Sequence, residues 1–336
     1  MATIYEVSEA AGVSLATVSR VMNGNAKVSE RTRQKVLDAM ESLGYQPNAI
    51  AQSLASNRTN SIGLLVSELH GSYFGDLMST VEQVLKNNGK HVIITAGHVD
   101  EKSELEAIDF LKSRRCDALI VHAEAVSDDY LKALAQSEVP VAVINRQVTG
   151  IESRCFVVDN EKGGYIATKA VLDQGHKQIG YISGPLLKKD ARDRLAGHFR
   201  ALAENGIERA QSPIYEGDYH ELSGQNGCLT LLKETPGLTA VICANDEMAS
   251  GAMTAAREAG VSVPQNLSVV GFDNVLFSRY LFPKLTTVEN PISAMGEMAA
   301  NWILQEVYNV KSKQPIEHLF VPELVARASL GRAPDA

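Results

Sequence analysis

The first 45 residues of this 336-residue chain contain hydroxyl, amide, phenol and guanidinium side chains at close spacing. Small, hydroxyl and basic residues follow one another in the segment GVSLATVSRVMN, residues 12–23. Arg20 can pair bidentately with guanine, and Leu15 and Ala16 can pack on thymine methyl groups. Hydroxyl, amide and phenol groups can bond phosphates or sugars. The side chains of this kind are Thr3, Thr17, Ser19, Asn23 and Tyr45.

Three short helices are predicted to position these side chains. Apolar residues recur at helical spacing from Ile4 to Ala11, which predicts the first helix. Gly12 suits the turn that ends it, and a second helix follows from Leu15 to Met22. A third helix, capped by Ser29, is expected to end near Leu43. This is the order of a DNA-binding helix-turn-helix, although an ordinary three-helix packing module explains the same spacing equally well.

A change of composition separates this head from the rest of the chain. Residues 48–59 are polar and rich in alanine, with too little apolar surface to hold a helix unaided, which indicates a linker. From residue 60, short β-branched runs alternate with amphipathic stretches. The predicted strands are Ser61–Val66, His91–Thr95, Ala118–His122, Val141–Ile144, Ile179–Ile182, Ala240–Ala244 and Ser268–Gly271. The predicted helices between them include Phe74–Asn88, Glu101–Ser113, Gly163–Gln174, Arg192–Asn205 and Glu247–Ala259. This alternation predicts parallel sheets in two α/β subdomains, with a ligand cleft between them outside the carboxyl ends of the strands.

The distribution of charge discourages nonspecific binding to nucleic acid. The formal net charge is −8, which by itself argues against a nucleic-acid partner. Residues 1–59, however, hold six Lys or Arg against five acidic residues, while the remainder holds 26 against 35. The N-terminal head is thus nearly neutral and the rest of the chain is acidic. Any specificity for DNA must therefore come from the geometry of the contacts that the head makes.

Other classes of protein lack their usual signatures in this sequence. The cysteines are widely spaced and form no Cys-x-x-Cys pair, so we expect buried thiols and no metal site. There is no phosphate-binding glycine motif and no His-Glu-x-x-His segment, so neither an enzyme nor a cofactor is expected. No apolar run is long enough for a membrane helix, and the N-terminus is polar, so we expect a cytoplasmic protein.

The N-terminal segment resembles that of the LacI/GalR family of bacterial transcriptional repressors over its whole length: TIYEVSEAAGVSLATVSRVMNGNAKVSERTRQKVLDAMESLGYQPNAIAQSLAS. Further along the chain, NSIGLLV, CANDEMASGAM, SVVGFDN and LTTVENPI follow in the order that this family shows. INR, ESRCF and FDNVLFSRYLFPKLTTV are most similar to the galactose-type branch. The resemblance implies an all-α helix-turn-helix head over residues 1–45 and a hinge helix over residues 46–59. It also implies an α/β core of two subdomains, resembling periplasmic binding proteins, over residues 60–336.

The resemblance assigns DNA contacts to the linker as well. In this family a leucine from each of two hinge helices wedges into the central minor-groove step, and Leu54 occupies that position here. Ala51 precedes it, and Asn48 is the remaining linker residue expected to contact DNA. The unstacking that a wedge requires is offset by wider contact along the bent duplex. The other interpretation of Leu54 is ordinary packing within a linker.

Carrying the family pattern over residue by residue predicts an effector site. Its members are planar hydrogen-bonding groups and aromatic rings, a mixture that suits the vicinal hydroxyls and the apolar face of a sugar. They are Tyr73, Phe74, Asn145, Asp159, Arg192, Arg194, Tyr219, Asn245 and Asp273. Taken singly, Arg194 also fits a surface charge, Asp273 a strand-end cap, and either tyrosine a core aromatic.

The resemblance implies a homodimeric repressor that a small-molecule inducer, galactose or a galactoside, releases from a palindromic double-stranded operator. Two features depart from the family pattern: Asn145 stands where several members carry aspartate, and Leu187-Lys188-Lys189 forms a basic loop near the cleft. The purine-responsive branch of the family is an alternative, because Tyr73-Phe74 occurs there too, and its ligands act as corepressors. The alternatives outside the family are a nucleotide-binding enzyme and a sugar-binding protein without a DNA function.

Overall fold

The computed structural model of the chain describes residues 2–22, 28–46, 58–312 and 314–334. Contacts within the chain divide it into two units, Met1–Asn60 and Ser61–Ala336. No helix in these described ranges is both long enough and apolar enough to cross a membrane.

The N-terminal unit contains the three predicted helices. They are α1 (Ile4–Ala11), α2 (Leu15–Met22) and α3 (Glu30–Ser42). Val7, Val18 and Val36, one from each helix, are fully buried in a single apolar cluster. Gly12 ends α1 in the left-handed conformation, with φ of 64°, which a residue without a Cβ adopts at little cost. The helical spacing of the apolar residues therefore builds a small core, and the glycine sets the turn between α1 and α2.

The larger unit contains two six-stranded sheets. The strands of the first sheet are β1 (Ser61–Val66), β2 (His91–Ala96), β3 (Ala118–Val121), β4 (Val141–Ile144), β5 (Cys155–Val158) and β11 (Leu319–Phe320). Those of the second are β6 (Ile179–Ser183), β7 (Ile214–Glu216), β8 (Ala240–Cys243), β9 (Ser268–Asp273), β10 (Thr286–Glu289) and β12 (Glu323–Val325). Their spatial orders are β11-β5-β4-β3-β1-β2 and β12-β10-β9-β8-β6-β7. The neighbouring strands pair in parallel, apart from the antiparallel pair of β10 and β12.

Helices pack on both sheets and complete two α/β subdomains. The helices of the first subdomain are α4 (Ser72–Lys86), α5 (Glu101–Ser113), α6 (Asp128–Ala135) and α11 (Ile292–Tyr308). Those of the second are α7 (Asn160–Asp173), α8 (Lys189–Glu204), α9 (Glu221–Glu234) and α10 (Asp246–Glu258). The central strands β3 and β8 are buried along their whole length, as expected for parallel strands covered on both faces. The chain passes from one subdomain to the other at residues 159, 290–291 and 321–322.

Glycines allow α7 and α8 to approach closely. A Cβ on Gly164 would lie 1.9 Å from the carbonyl oxygen of Arg194, and a Cβ on Gly197 would lie 1.9 Å from that of Glu161. Any larger residue at either position would therefore separate the two helices. The contact therefore places the backbone of Arg194 directly against α7.

Candidate functional site

The N-terminal unit places several predicted DNA-contacting residues along α2. Ala16 and Arg20 are exposed, while Leu15, Thr17 and Ser19 are partly buried. The Thr17 hydroxyl lies 2.9 Å from that of Ser14, at the start of α2. These side chains occupy the helix that enters the groove in a helix-turn-helix.

Thr3 and Tyr45 have intramolecular contacts of their own. The Thr3 hydroxyl accepts a bond from the backbone N–H of Glu6, and the Glu6 carboxylate accepts one from the Thr3 backbone, so the two form a capping box at α1. Tyr45 is partly buried against the apolar cluster of the head. Asn23, Asn48, Ala51 and Leu54 lie outside the described residues, as does most of the predicted hinge helix.

A cavity of about 390 Å³ lies between the two subdomains, at the carboxyl ends of their strands. Seven of the nine predicted effector residues line it: Tyr73, Phe74, Asn145, Arg194, Tyr219, Asn245 and Asp273. Most of them follow a parallel strand directly or sit in the first turns of a helix, which is where an open α/β sheet places its ligands.

Arg194 forms the centre of the polar wall that the second subdomain contributes. Its side chain is only 3% exposed. Its Nε donates to Asn160 Oδ1 at 2.8 Å, and Nη1 donates to the carbonyl oxygen of Ala244 at 2.5 Å. The carboxylates of Asp190 and Asp273 lie 3.8 and 3.7 Å from the guanidinium. The cation is therefore desolvated but compensated by two acids and two neutral acceptors, as buried charges require.

Asp273 ends β9 beside Arg194. Burial raises the pKa of its carboxyl to about 6, although Arg194 and a bond from Asn290 act in the opposite direction. Asn290 Nδ2 donates to Asp273 Oδ1 at 3.0 Å. The carboxylate can thus accept hydrogen bonds from a ligand at neutral pH, and it becomes protonated in mild acid.

Tyr219 and Asn245 complete this wall through bonds to neighbouring residues. The Tyr219 hydroxyl donates to Asp190 Oδ2 at 3.0 Å. Asn245 donates to the carbonyl oxygen of Tyr219 at 2.8 Å and accepts from the backbone N–H of Met248, so it also caps α10. Each polar group of the wall is held by another before any ligand arrives.

Three of the predicted effector residues that line the cavity have left-handed backbone conformations. Asn145 has φ of 58°, Tyr219 has φ of 74° and Asp273 has φ of 109°. Such conformations are uncommon for residues with a side chain, and strained residues of this kind cluster at ligand sites. The three left-handed residues of this cavity fit that pattern.

The first subdomain contributes a second wall, here called the aromatic wall, on which the rings of Tyr73, Phe74 and His122 lie beside polar side chains such as Glu68 and Asn145. Tyr73 and Phe74, in the first turn of α4, meet edge to face with ring centroids 5.1 Å apart. The His122 ring lies edge to face with Phe74 at 5.2 Å, and its Nδ1 lies 3.1 Å from the Ser67 hydroxyl. Burial lowers the pKa of His122, so its imidazole is neutral at neutral pH. Its buried Nε2 has no hydrogen-bond partner among the described residues.

Asp159 and Arg192 do not line this cavity. Asp159 caps α7 by accepting from the backbone N–H of Lys162 at 2.9 Å. The Arg192 guanidinium bonds the carbonyl oxygens of Leu186 and Leu187, and its side chain lines a neighbouring cavity. Both predicted positions therefore bond the backbone near the site: Asp159 bonds it at the start of α7, and Arg192 bonds it in the loop before α8.

Several lining residues were not predicted from the sequence, among them His122, Glu124 and Asp190. His122 directly follows β3, so the rule that ligands bind beyond the carboxyl ends of strands gave a signal for it. Asp190 precedes Arg194 by four residues, one helical turn, which places both on the same face of α8. The described residues contain no group of three or more His, Cys, Asp or Glu able to hold a metal ion.

Comparison with known proteins identifies the family. Residues 3–48 match the family "Bacterial regulatory proteins, lacI family", and residues 168–330 match a periplasmic binding protein-like domain. The chain is 42% identical to the HTH-type transcriptional regulator GalR of Escherichia coli (strain K12), over 98% of this chain and 96% of that protein. This chain belongs to the lacI family. It is therefore a DNA-binding transcriptional regulator of the LacI/GalR type, with a helix-turn-helix head and a core like that of periplasmic binding proteins.

Two further similar proteins match almost the whole chain. The HTH-type transcriptional repressor PurR of Klebsiella pneumoniae (strain 342) is 36% identical over 99% of this chain and 98% of that protein. Among solved structures, the lac repressor dimer bound to operator and the anti-inducer ONPF superposes with a TM-score of 0.87. It is 31% identical, and the match covers 98% of this chain and 99% of that one.

Proposed function

We propose that this protein is a homodimeric, cytoplasmic repressor whose effector is a neutral sugar, galactose or a galactoside, acting as an inducer. The observation that carries the choice of ligand is the pairing of two unlike walls across one cavity. One wall presents Arg194, Asp273 and Asn245, and the other presents the rings of Tyr73 and Phe74.

This combination suits the chemistry of a sugar ring. Guanidinium, carboxylate and amide groups bond adjacent hydroxyls with defined geometry, and aromatic rings cover the apolar face of a pyranose. The neutral His122 Nε2 supplies one further bonding position on the aromatic wall. The relation to GalR supports a galactose-type ligand in particular.

The inducing effect follows from linkage between two sites. A ligand that prefers one arrangement of the two subdomains, in which the two heads of the dimer no longer match their half-sites, must weaken operator binding. Operator DNA must then weaken ligand binding by the same factor. In this proposal Leu54 wedges into the centre of the operator, so Leu54→Gly is expected to abolish operator binding and leave sugar binding intact.

A purine corepressor is the second candidate, favoured by the relation to PurR. It predicts the opposite sign, because a corepressor strengthens operator binding. It also requires a planar base to fit in the cavity beside the charged groups of the polar wall.

Calorimetry on the purified full-length chain tests the proposal directly. Galactose, methyl galactosides, hypoxanthine and guanine are titrated with and without a palindromic duplex that the protein has selected from a random pool. Binding of galactose with release of DNA is the expected result, and the sugar should be recovered unchanged. Tight purine binding without any response to sugars would overturn the choice of effector.

Deletion of residues 1–58 separates a regulator from the other classes. The proposal expects the truncated protein to lose DNA binding and to keep its affinity for the sugar. An enzyme or a transport-type sugar-binding protein would lose little of its activity when the head is deleted. Unchanged behaviour toward DNA after this deletion would refute the role assigned to the first unit.

A further inference from the structure

A second cavity of about 280 Å³ adjoins the first. Six residues line both cavities: His122, Glu124, Asn145, Leu187, Lys188 and Asp190. Among them, Glu124 and Lys188 form an ion pair with Nζ and Oε2 2.6 Å apart. Because this pair belongs to the lining of both spaces, it stands at the boundary between them.

The ion pair joins the two subdomains. Glu124 follows β3 of the first subdomain, and Lys188 precedes α8 of the second. Their side chains are 16% and 18% exposed, so water screens the pair less than it would screen one on the open surface. Lys188 Nζ also lies 5.2 Å from the centre of the Tyr219 ring, within the range of a cation–π contact.

The loop that carries Glu124 is anchored by hydrogen bonds to a buried carboxylate. Glu104, only 1% exposed, accepts backbone N–H bonds from Glu124, Ala125 and Val126 at 2.8 to 3.1 Å. The Ala125 N–H bonds both carboxylate oxygens, so three N–H groups make four bonds to Glu104. These bonds fix the position of the loop.

The loop that carries Lys188 is anchored as well. The backbone N–H of Leu186 donates to Glu216 at 2.8 Å, and Arg192 bonds the carbonyl oxygens of Leu186 and Leu187. Glu124 and Lys188 are therefore both held by loops with fixed positions. We call this ion pair the gate, because it lies between the two cavities.

We propose that Glu124 and Lys188 set the size of the effector by closing one side of the main cavity, so that it accepts a single sugar ring. This inference rests on the proposed function. The main cavity lies near the lower end of the range for small-molecule sites, roughly 300–1,000 Å³. The second cavity is lined by polar side chains including Asp128, Arg146 and Gln147, which suit a second hydroxylated ring. Removing the pair joins the two spaces and admits a disaccharide.

The test compares the affinities of galactose, lactose and melibiose by calorimetry on the full-length chain. The two disaccharides carry the second ring on opposite faces of the galactose anomeric carbon. The wild type is expected to bind galactose at least about tenfold more tightly than either disaccharide, a difference of about 1.4 kcal/mol. In Glu124→Ala/Lys188→Ala this preference should shrink about tenfold for at least one disaccharide.

A charge-reversed variant distinguishes the ion pair from a general loss of structure. Glu124→Lys/Lys188→Glu re-forms the pair, and it should keep the preference for galactose. Lys169→Ala/Asp173→Ala removes an ion pair on α7 outside both cavities and serves as the matched control. Thermal melting of each variant checks that it folds.

The outcomes separate this inference from the proposed function. An unchanged ratio of affinities in the double alanine variant, with galactose still bound, would refute the gate and leave the proposed function intact. A charge-reversed variant that behaves like the alanine variant would refute the role of the ion pair. Absence of carbohydrate binding by the wild type would overturn the proposed function and the gate together.

Discussion

The two walls of the main cavity are built in different ways. On the wall of the second subdomain, Arg194, Asp273, Tyr219 and Asn245 are bonded or ion-paired with one another or with their neighbours. On the aromatic wall of the first subdomain, the rings of Tyr73, Phe74 and His122 pack edge to face, and His122 Nε2 has no hydrogen-bond partner among the described residues. A polar network that is preorganised loses little freedom when it binds a ligand, whereas the aromatic wall supplies mostly apolar contact. Substitutions on the two walls should therefore have different consequences.

The largest effect is expected from Arg194→Ala. The variant leaves Asp190 and Asp273 without their cation, so the fold should lose about 3–5 kcal/mol of stability. Affinity for galactose should fall more than about 100-fold, since a bidentate charged donor is lost. Calorimetry and denaturant unfolding measure the two quantities. Arg200→Ala removes an exposed ion pair with Glu161 from the same helix, so it should leave galactose affinity unchanged and cost at most about 1 kcal/mol of stability. A variant at 194 that binds galactose normally would contradict the role of this wall.

Acid should weaken galactose binding through Asp273. Its pKa of about 6 lies above the ordinary value of 3.8, so the folded protein takes up this proton before the unfolded chain does. The contribution of this group to stability is accordingly greatest at low pH and is lost as pH rises from about 4 to about 6. Ligand affinity behaves oppositely if the carboxylate accepts a sugar hydroxyl, and it should fall about tenfold between pH 7 and 5. The same titration on Asp273→Asn should give a lower affinity with a flatter profile, and a wild-type affinity independent of pH would remove Asp273 from ligand binding.

The aromatic wall should respond more mildly. His122→Leu keeps most of the volume of the side chain and deletes its hydrogen bonds, so galactose affinity should drop about fivefold, the value of one bond near 1 kcal/mol. The free energy of unfolding should fall by about 1–3 kcal/mol, less than in Arg194→Ala, because the buried Ser67 hydroxyl loses its partner His122 Nδ1. Calorimetry and denaturant unfolding measure the two quantities. If His122→Leu lowered galactose affinity and stability as much as Arg194→Ala does, the contrast between the two walls would be contradicted.

The smallest effect is expected at Gly184, behind the polar wall. A Cβ there would lie 2.2 Å from the Tyr219 ring, so Gly184→Ala must move the ring and disturb its bond to Asp190. A loss of about threefold in galactose affinity is expected, less than the full value of one hydrogen bond. Gly75→Ala is the control, because a Cβ at that position meets no atom within 4 Å. Equal affinities for these two variants would indicate that the position of Tyr219 does not matter.

The sequence predicted the elements with strong periodicity and missed those held by tertiary packing. The helices of the head and strands such as β1 and β4 have the predicted bounds, since their apolar residues recur at a clear spacing. The strands β5, β7, β10, β11 and β12 were not predicted. β7, β11 and β12 have only two or three residues, and β10 begins with two threonines, whereas the predicted four-residue strands β3, β4 and β8 are wholly apolar. The equally apolar β5 was missed. The helix α11 was also missed, since apolar residues occur around most of its circumference.

Site residues were predictable where a polar, hydrogen-bonding residue lies at or just after the carboxyl end of a strand. Asn145, Asn245 and Asp273 meet this condition and line the cavity. The partner of Lys188 could not be found from the sequence, since 64 positions of chain separate it from Glu124 and the fold alone brings them together. Asp159 meets the condition too, but it lies at a crossover between the subdomains and caps α7 instead.

The most direct test of the account measures operator binding as the sugar is added. Fluorescence anisotropy of a labelled palindromic duplex, selected by the full-length protein from a random pool, follows its dissociation constant at fixed salt. The account predicts that saturating galactose weakens duplex binding by at least about tenfold, or about 1.4 kcal/mol of coupling, and that Arg194→Ala abolishes this response. Duplex affinity that stays constant or increases with galactose, while the sugar is bound, would contradict it.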